Sequence, residues 1–172
     1  GYDLSCGLAV LADGMGGHNA GEVASGITVS LITTDIKRGL ESVRPEGQGV
    51  GGEDVGVALL REKVQKANAA IYHKSQSQPQ LAGMGTTVVA GLFYDNRLAV
   101  AHVGDSRMYR LRGEMFEPIT RDHSLLQEQI DRGILSRQDA RLSKNKNLIT
   151  RAVGVDSTVE VEIHVHAVQV GD

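Results

Sequence analysis

Cys6-Gly7-Leu8-Ala9-Val10-Leu11-Ala12-Asp13-Gly14-Met15-Gly16-Gly17-His18 is the stretch on which the fold turns. The run from Cys6 to Ala12 is short, apolar and followed by glycines, which is the pattern of a buried strand. Asp13 comes directly after it, so the sequence puts a carboxylate at the rim of a sheet. The glycines that follow let the backbone bend sharply and expose its carbonyls. Carboxylate and carbonyl oxygens are the ligands that hard divalent cations prefer. His18, at the end of the loop, is suited to donating a proton or anchoring a polar group. Read alone, the stretch is also a glycine turn with an Asp cap. Gly14-x-Gly16 between a strand and a helix has the outline of a dinucleotide loop as well. Against that reading, Asp13 would aim negative charge at the phosphates, and the strands further along look antiparallel.

Working outward, a helix is predicted from Ala20 to about Arg38, with Val23, Ile27 and Leu31 along one face. Residues 45–53 carry Pro45 and four glycines and form a flexible connection. A second helix is predicted from Asp54 to Lys74, where Val57, Leu60, Val64, Ala67 and Ile71 make an amphipathic stripe. The period then changes. Thr86–Tyr94 and Arg97–Val103 read as a hairpin turning at Asp95-Asn96. Met108–Leu111 is a further strand, turning at Arg112-Gly113-Glu114. Residues 124–142 read as two short helices around Gly133, with Ser136 as an N-cap. Leu148–Val153 is strand-like. At the end Val159, Val161, Ile163 and Val165 alternate with Glu160, Glu162, His164 and His166, the pattern of a strand with one wet face. On that face the two His and two Glu are read as solvated side chains in preference to a metal site. Two long helices with several antiparallel strands predict a layered α+β fold.

The 172 residues suffice for one domain with a real core, and aromatics at 3% with no Trp make that core aliphatic. The net charge of -3 argues against a broad nucleic-acid surface. A single cysteine, Cys6, forbids an intrachain disulfide, which fits a reducing cytoplasm. Cys6 itself reads as a small core residue. No run is long and apolar enough to span a membrane, and no basic region precedes the first apolar stretch, so neither an anchor nor a signal peptide is expected. Both ends look cut. The chain opens almost directly into a strand, and Val170-Gly171-Asp172 reads as a strand entering a turn.

Four further clusters share the character of the first. Gly104-Asp105-Ser106-Arg107 again sets an acid after an apolar strand, and two such strands can converge on one rim and share cations. Gly83-Met84-Gly85-Thr86-Thr87 leads into a strand. Thr120-Arg121-Asp122-His123-Ser124 precedes the small helices. Asn147-Leu148-Ile149-Thr150-Arg151-Ala152-Val153-Gly154 closes the series. Each is ordinary turn chemistry when taken singly. Their succession resembles that of the type 2C (PPM) family of metal-dependent serine/threonine protein phosphatases. Bacterial members order them as D-G-M-G-G-H, G-T-T, G-D-S-R, D-H-S and N-x-x-T-R-A-x-G, and the resemblance runs from Cys6 to Asp172.

The resemblance implies an α-β-β-α sandwich of two antiparallel sheets flanked by helix pairs. The helices at 20–38 and 54–74 would cover one sheet, and residues 124–147 would form a small helical flap. It implies hydrolysis of phosphoserine and phosphothreonine in proteins at a centre of two Mn²⁺ or Mg²⁺ ions, without a phosphoenzyme. Asp13 would bridge both metals, the Gly14 carbonyl would bind one, and Asp105 would hold a third near the flap. Eukaryotic members place a His two residues after the first Asp. Met15 stands there, so His18 is the candidate proton donor. Ser143-Lys144 replaces a common His-Pro, which departs from the usual flap. The expected partners are phosphoprotein substrates of a serine/threonine kinase, acted on by a cytoplasmic monomer that binds neither nucleic acid nor membrane. The family's opening Arg and acids, and its closing Asp-Gly and Asp-Asn, lie outside residues 1–172. Metal binding and activity of this stretch alone are therefore expected to be weak or absent, and the alternative is a non-catalytic phosphatase-like regulatory domain. Arg107, Arg110 and Arg112 are read as ion-paired surface residues before they are read as phosphoprotein contacts.

Overall fold

The computed structural model describes residues 1–17, 19–143 and 148–172. Its strands are β1 (Tyr2–Asp3), β2 (Leu8–Leu11), β3 (Gly14–Met15), β4 (Gly85–Thr86), β5 (Val88–Tyr94), β6 (Arg97–Val103), β7 (Tyr109–Arg112), β8 (Met115–Pro118) and β9 (Glu162–Ala167). Its helices are α1 (Ala20–Leu40), α2 (Val55–Ser77), α3 (Leu125–Asp131) and α4 (Arg137–Leu142). β1-β2-β5-β6-β9 form one antiparallel sheet, and β3-β4 and β7-β8 are two-stranded ribbons.

The β5–β6 hairpin is set by Asp95-Asn96. Both residues take positive φ, 45° and 55°, so Tyr94 pairs with Arg97 across a two-residue turn. Asp and Asn tolerate this left-handed region better than most residues, and it matches the twist of the flanking strands. Alternation along β5 and β6 then sorts the side chains. Val88, Ala90, Leu92, Ala99, Ala101 and Val103 join the helices in the main core. Val89, Leu98 and Val100 face the other way and pack with Met108, Ile119 and Val168 around the β7–β8 ribbon.

The α2 stripe is as expected, with Val57, Leu60, Val64, Ala67 and Ile71 all buried. On α1 the buried line lies one residue on from the expected one. Ala24, Thr28, Ile32 and Ile36 are buried, while Val23, Ile27 and Leu31 are partly buried and flank the core. Asp35 is nearly buried between the helices and receives Lys66 at 2.6 Å; that bond holds its carboxyl below the usual range. Ser124 and Ser136 cap α3 and α4 by accepting from Gln127 N–H and Asp139 N–H.

The antiparallel sheets and the helix pair over one face match the expected class, and the second layer among the described residues is the β7–β8 ribbon. Residues 148–153 differ from expectation. They form no strand, only isolated bridges from Ile149 to Ser124 and from Val153 to Thr86. Leu60 of α2 is fully buried in the main core. Leu60→Ala should therefore cost about 2–5 kcal/mol, read as a fall in the urea midpoint with the denaturant slope unchanged.

Candidate functional site

β2 and β6 both run antiparallel to β5, so they run parallel to each other, one on each side of it. Leu11 pairs with Val89, and Val103 pairs with Val88. Asp13 and Asp105, which follow these strands, therefore leave the sheet at one rim. Two strand spacings put their backbones roughly 10 Å apart. Thr87, at the foot of β5, joins them. Asp13 N–H donates to Thr87 Oγ1 at 3.2 Å, Thr87 N–H donates to the Asp13 carbonyl at 2.9 Å, and Thr87 Oγ1 lies 2.6 Å from Ser106 Oγ. After accepting from Asp13, Thr87 Oγ1 keeps its own hydrogen and a second lone pair, so either hydroxyl can donate in the bond to Ser106. Among the described residues no side chain engages the carboxylate of Asp13, which is exposed, or of Asp105, which is partly exposed.

Beside Asp13 the backbone is pressed against the first turn of α1. A Cβ on Gly14 would lie 1.9 Å from the Gly21 carbonyl oxygen, so the loop can reach this position only without side chains. Thr86, paired with Gly14 in the β3–β4 ribbon, also exchanges backbone hydrogen bonds with Val153. Gly154 N–H donates to Asn68 Oδ1 at 2.7 Å, tying the last motif to α2.

On the Asp105 side, Gly104 has φ +102°, and a Cβ there would meet Thr87 Cγ2 at 2.6 Å. Gly104 N–H donates to His123 Nδ1 at 3.1 Å, and His123 N–H donates to the Gly104 carbonyl at 2.9 Å. Arg107 grips Asp122 with two hydrogen bonds, 2.7 and 2.6 Å. Arg110 pairs with Glu117 and Arg112 with Asp172, so all three arginines are ion-paired, as read from the sequence.

Three metal-capable side chains converge below this rim, and the sequence reading did not assemble them. His102, His123 and Glu162 bring one ligand atom each within 4.8 Å of the others. His102 is fully buried, stacks on His123 at 4.7 Å, and bonds the Arg121 carbonyl through Nε2 at 2.8 Å. A carbonyl only accepts, so Nε2 carries the hydrogen and Nδ1 is left without a partner. Burial pushes the His102 pKa down. Burial pushes the Glu162 carboxyl up, but hydrogen bonds from His123 (3.0 Å) and His164 (2.8 Å) outweigh it and hold the carboxyl at about 2. Glu162 is thus no solvated bystander on a wet strand face. The signal available was weak: its partners come from segments whose pairing no local pattern reveals.

The structure brings Asp13, Gly14 and Asp105 to one rim. His18, Lys144 and Asn147 lie outside the described residues. The donor types fit a hard cation, two carboxylates and a backbone carbonyl, with the remainder of a six-fold shell left to water or other ligands.

Comparison with known proteins places this fold in a family. The protein phosphatase 2C family pattern matches residues 3–145. The serine/threonine phosphatase stp of Listeria monocytogenes is 36% identical over 165 residues, covering 96% of this chain and 62% of the relative. The crystal structure of the Mycobacterium tuberculosis serine/threonine phosphatase PstP superposes with TM-score 0.82 at 36% identity, covering 95% of this chain and 64% of that one. The PstP catalytic domain described in complex with two manganese ions superposes with TM-score 0.74, covering 94% and 62%. With its carboxylates carried on strand tips and its motifs in the family order, the chain belongs to the protein phosphatase 2C family. It spans about six-tenths of the length of the Listeria relative.

Two outcomes follow from the bonding. Thr87→Val keeps the shape but strands the Asp13 N–H and the Ser106 hydroxyl, and should cost about 1–3 kcal/mol in denaturant titrations. Below pH 6.5 the unfolded chain binds a proton that buried His102 resists, so stability should fall as pH drops from 6.5 towards the depressed value. In unfolding midpoints measured from pH 8 to 5, His102→Gln should show a shallower slope.

Proposed function

We propose that the protein hydrolyses phosphoserine and phosphothreonine in phosphoproteins, using a pair of Mn²⁺ or Mg²⁺ ions held in part by this chain. The observation that carries the reading is the meeting of Asp13 and Asp105 at one rim, joined through Thr87. The serine/threonine phosphatases among its relatives, and the two manganese ions of the PstP catalytic domain, support it.

When bound, such ions polarise phosphoryl oxygens and make water a better nucleophile. The chain's own residues prepare the place. Asp13 offers two carboxylate oxygens to the cations, and Gly14 adds a carbonyl. Thr87 and Ser106 keep the two strand tips at a constant separation, so the charges need no reorganisation when substrate arrives. Asp105 would hold a further ion on the flap side. Residues 124–147, containing α3 and α4, act as that flap, and Arg107 ties its approach to the Asp105 turn through Asp122. The substrates are proteins phosphorylated by a serine/threonine kinase, met in the cytoplasm by a monomer that binds neither nucleic acid nor membrane. In support, no helix among the described residues is long and apolar enough to cross a membrane.

The test is hydrolysis of an aryl phosphate and a phosphothreonine peptide by the full-length protein with and without Mn²⁺. Turnover should require Mn²⁺. Asp13→Ala should lower it by more than roughly 100-fold while leaving the circular dichroism spectrum unchanged. Hydrolysis that ignores metal would overturn the proposal. A folded protein without turnover would favour a non-catalytic regulatory domain.

A further inference from the structure

Glu162 lies on β9 directly opposite His102 of β6, on the face of the sheet away from the long helices. It accepts from His123, which clasps the turn carrying Asp105. The protons in this chain of contacts can be assigned without ambiguity. A backbone N–H only donates, so His123 Nδ1 must present its lone pair to Gly104 N–H. The ring's hydrogen then sits on Nε2, 3.0 Å from Glu162 Oε2. Arg151 Nη1, 3.4 Å from the same Nε2, is itself a donor and cannot replace the carboxylate. With its own N–H on the Gly104 carbonyl, His123 holds both backbone groups of Gly104, while Thr87 fills the space where a Cβ would sit.

We propose that Glu162 is a positioning residue: by accepting the Nε2 hydrogen of His123 it selects the tautomer whose bare Nδ1 receives Gly104 N–H, and so aims the Gly104-Asp105 turn for cation binding. The last clause rests on reading Asp105 as a cation ligand. A carboxylate fixing an imidazole tautomer is a familiar device behind metal ligands; here the imidazole orients a backbone turn. The same three side chains do not make a good cation site of their own. The His102 and His123 rings are stacked only 13° from parallel, so their in-plane lone pairs do not aim at a common point. The Arg151 guanidinium adds positive charge beside His123 Nε2.

Two measurements on the full-length protein test this. In ¹⁵N-histidine NMR of the wild type, His123 should show hydrogen on Nε2 and a bare Nδ1, and Glu162→Leu should give a mixture of tautomers. In Mn²⁺ titrations of aryl phosphate hydrolysis, Glu162→Leu should raise the half-saturating Mn²⁺ concentration roughly 10–100-fold, with kcat at saturating Mn²⁺ and the substrate KM nearly unchanged. Glu162→Gln, whose amide carbonyl can still accept from Nε2, should restore most of the loss. His123→Asn offers its own carbonyl to Gly104 N–H, and in that background Glu162→Leu should cost nothing further. Should Glu162→Leu not fold, Glu162→Ala against Glu162→Gln makes the same comparison. A wild-type His123 carrying its hydrogen on Nδ1, or an active Glu162→Leu enzyme with Mn²⁺ dependence within about twofold of wild type, sinks the relay alone. A wild type without Mn²⁺-dependent turnover sinks the functional reading and leaves the tautomer measurement to judge the relay.

Discussion

Thr87 is the point through which the site is held together. One hydroxyl accepts from the backbone of the first acidic tip and meets the serine of the second, and its amide returns a bond to the first. The constraint beneath it is topological. Any two strands that flank a common antiparallel neighbour end on the same rim, so acids placed just after β2 and β6 cannot end on opposite sides of the sheet. Thr87 converts that coarse agreement into a defined separation.

The rest of the chain protects that arrangement. Two carboxylates keep a fixed separation only where the backbones that carry them are constrained. The backbone contact of Gly14 with Gly21 supplies this on one side, and the Gly104 turn packed against Thr87 on the other. Behind them the sheet is clamped by α1 and α2, and an ion pair from nearly buried Asp35 to the exposed Lys66 spans the helix interface. Asn68 carries the constraint outwards to the Val153-Gly154 segment by accepting from Gly154 and donating to the Asp156 carbonyl.

The opposite face of the sheet has a different character. Its apolar part, Val89, Leu98 and Val100, is small, and towards the rim it gives way to His102, His123 and Glu162. A polar network that stands this far inside is costly unless satisfied. Nearly every group in it is, the exception being His102 Nδ1. The satisfied bonds lead in one direction, from β9 to the turn that bears Asp105. The network therefore belongs to the support of the acidic rim and not to a separate centre.

Much was legible in the residues themselves. The α2 stripe, the Asp95-Asn96 turn, the Ser136 cap and the acid after each apolar strand are local patterns, set by periodicity and by short-range backbone chemistry, and they appear where the sequence puts them. The order of the motifs carried the family for the same reason, since each is a contiguous signal. What needed the tertiary structure was non-local. The buried line of α1 lies one residue on from the expected one because the elements packed on the helix, α2 and the strands β2 to β4, set which face is covered. The segment after residue 147 reads as a strand but meets only single partners, because no neighbouring strand lies along its length. The bonds of Thr87 to Asp13 and Ser106, and of Glu162 to His123, join residues far apart in sequence. No local pattern encodes such pairs; they exist only once the register of the sheet has been set.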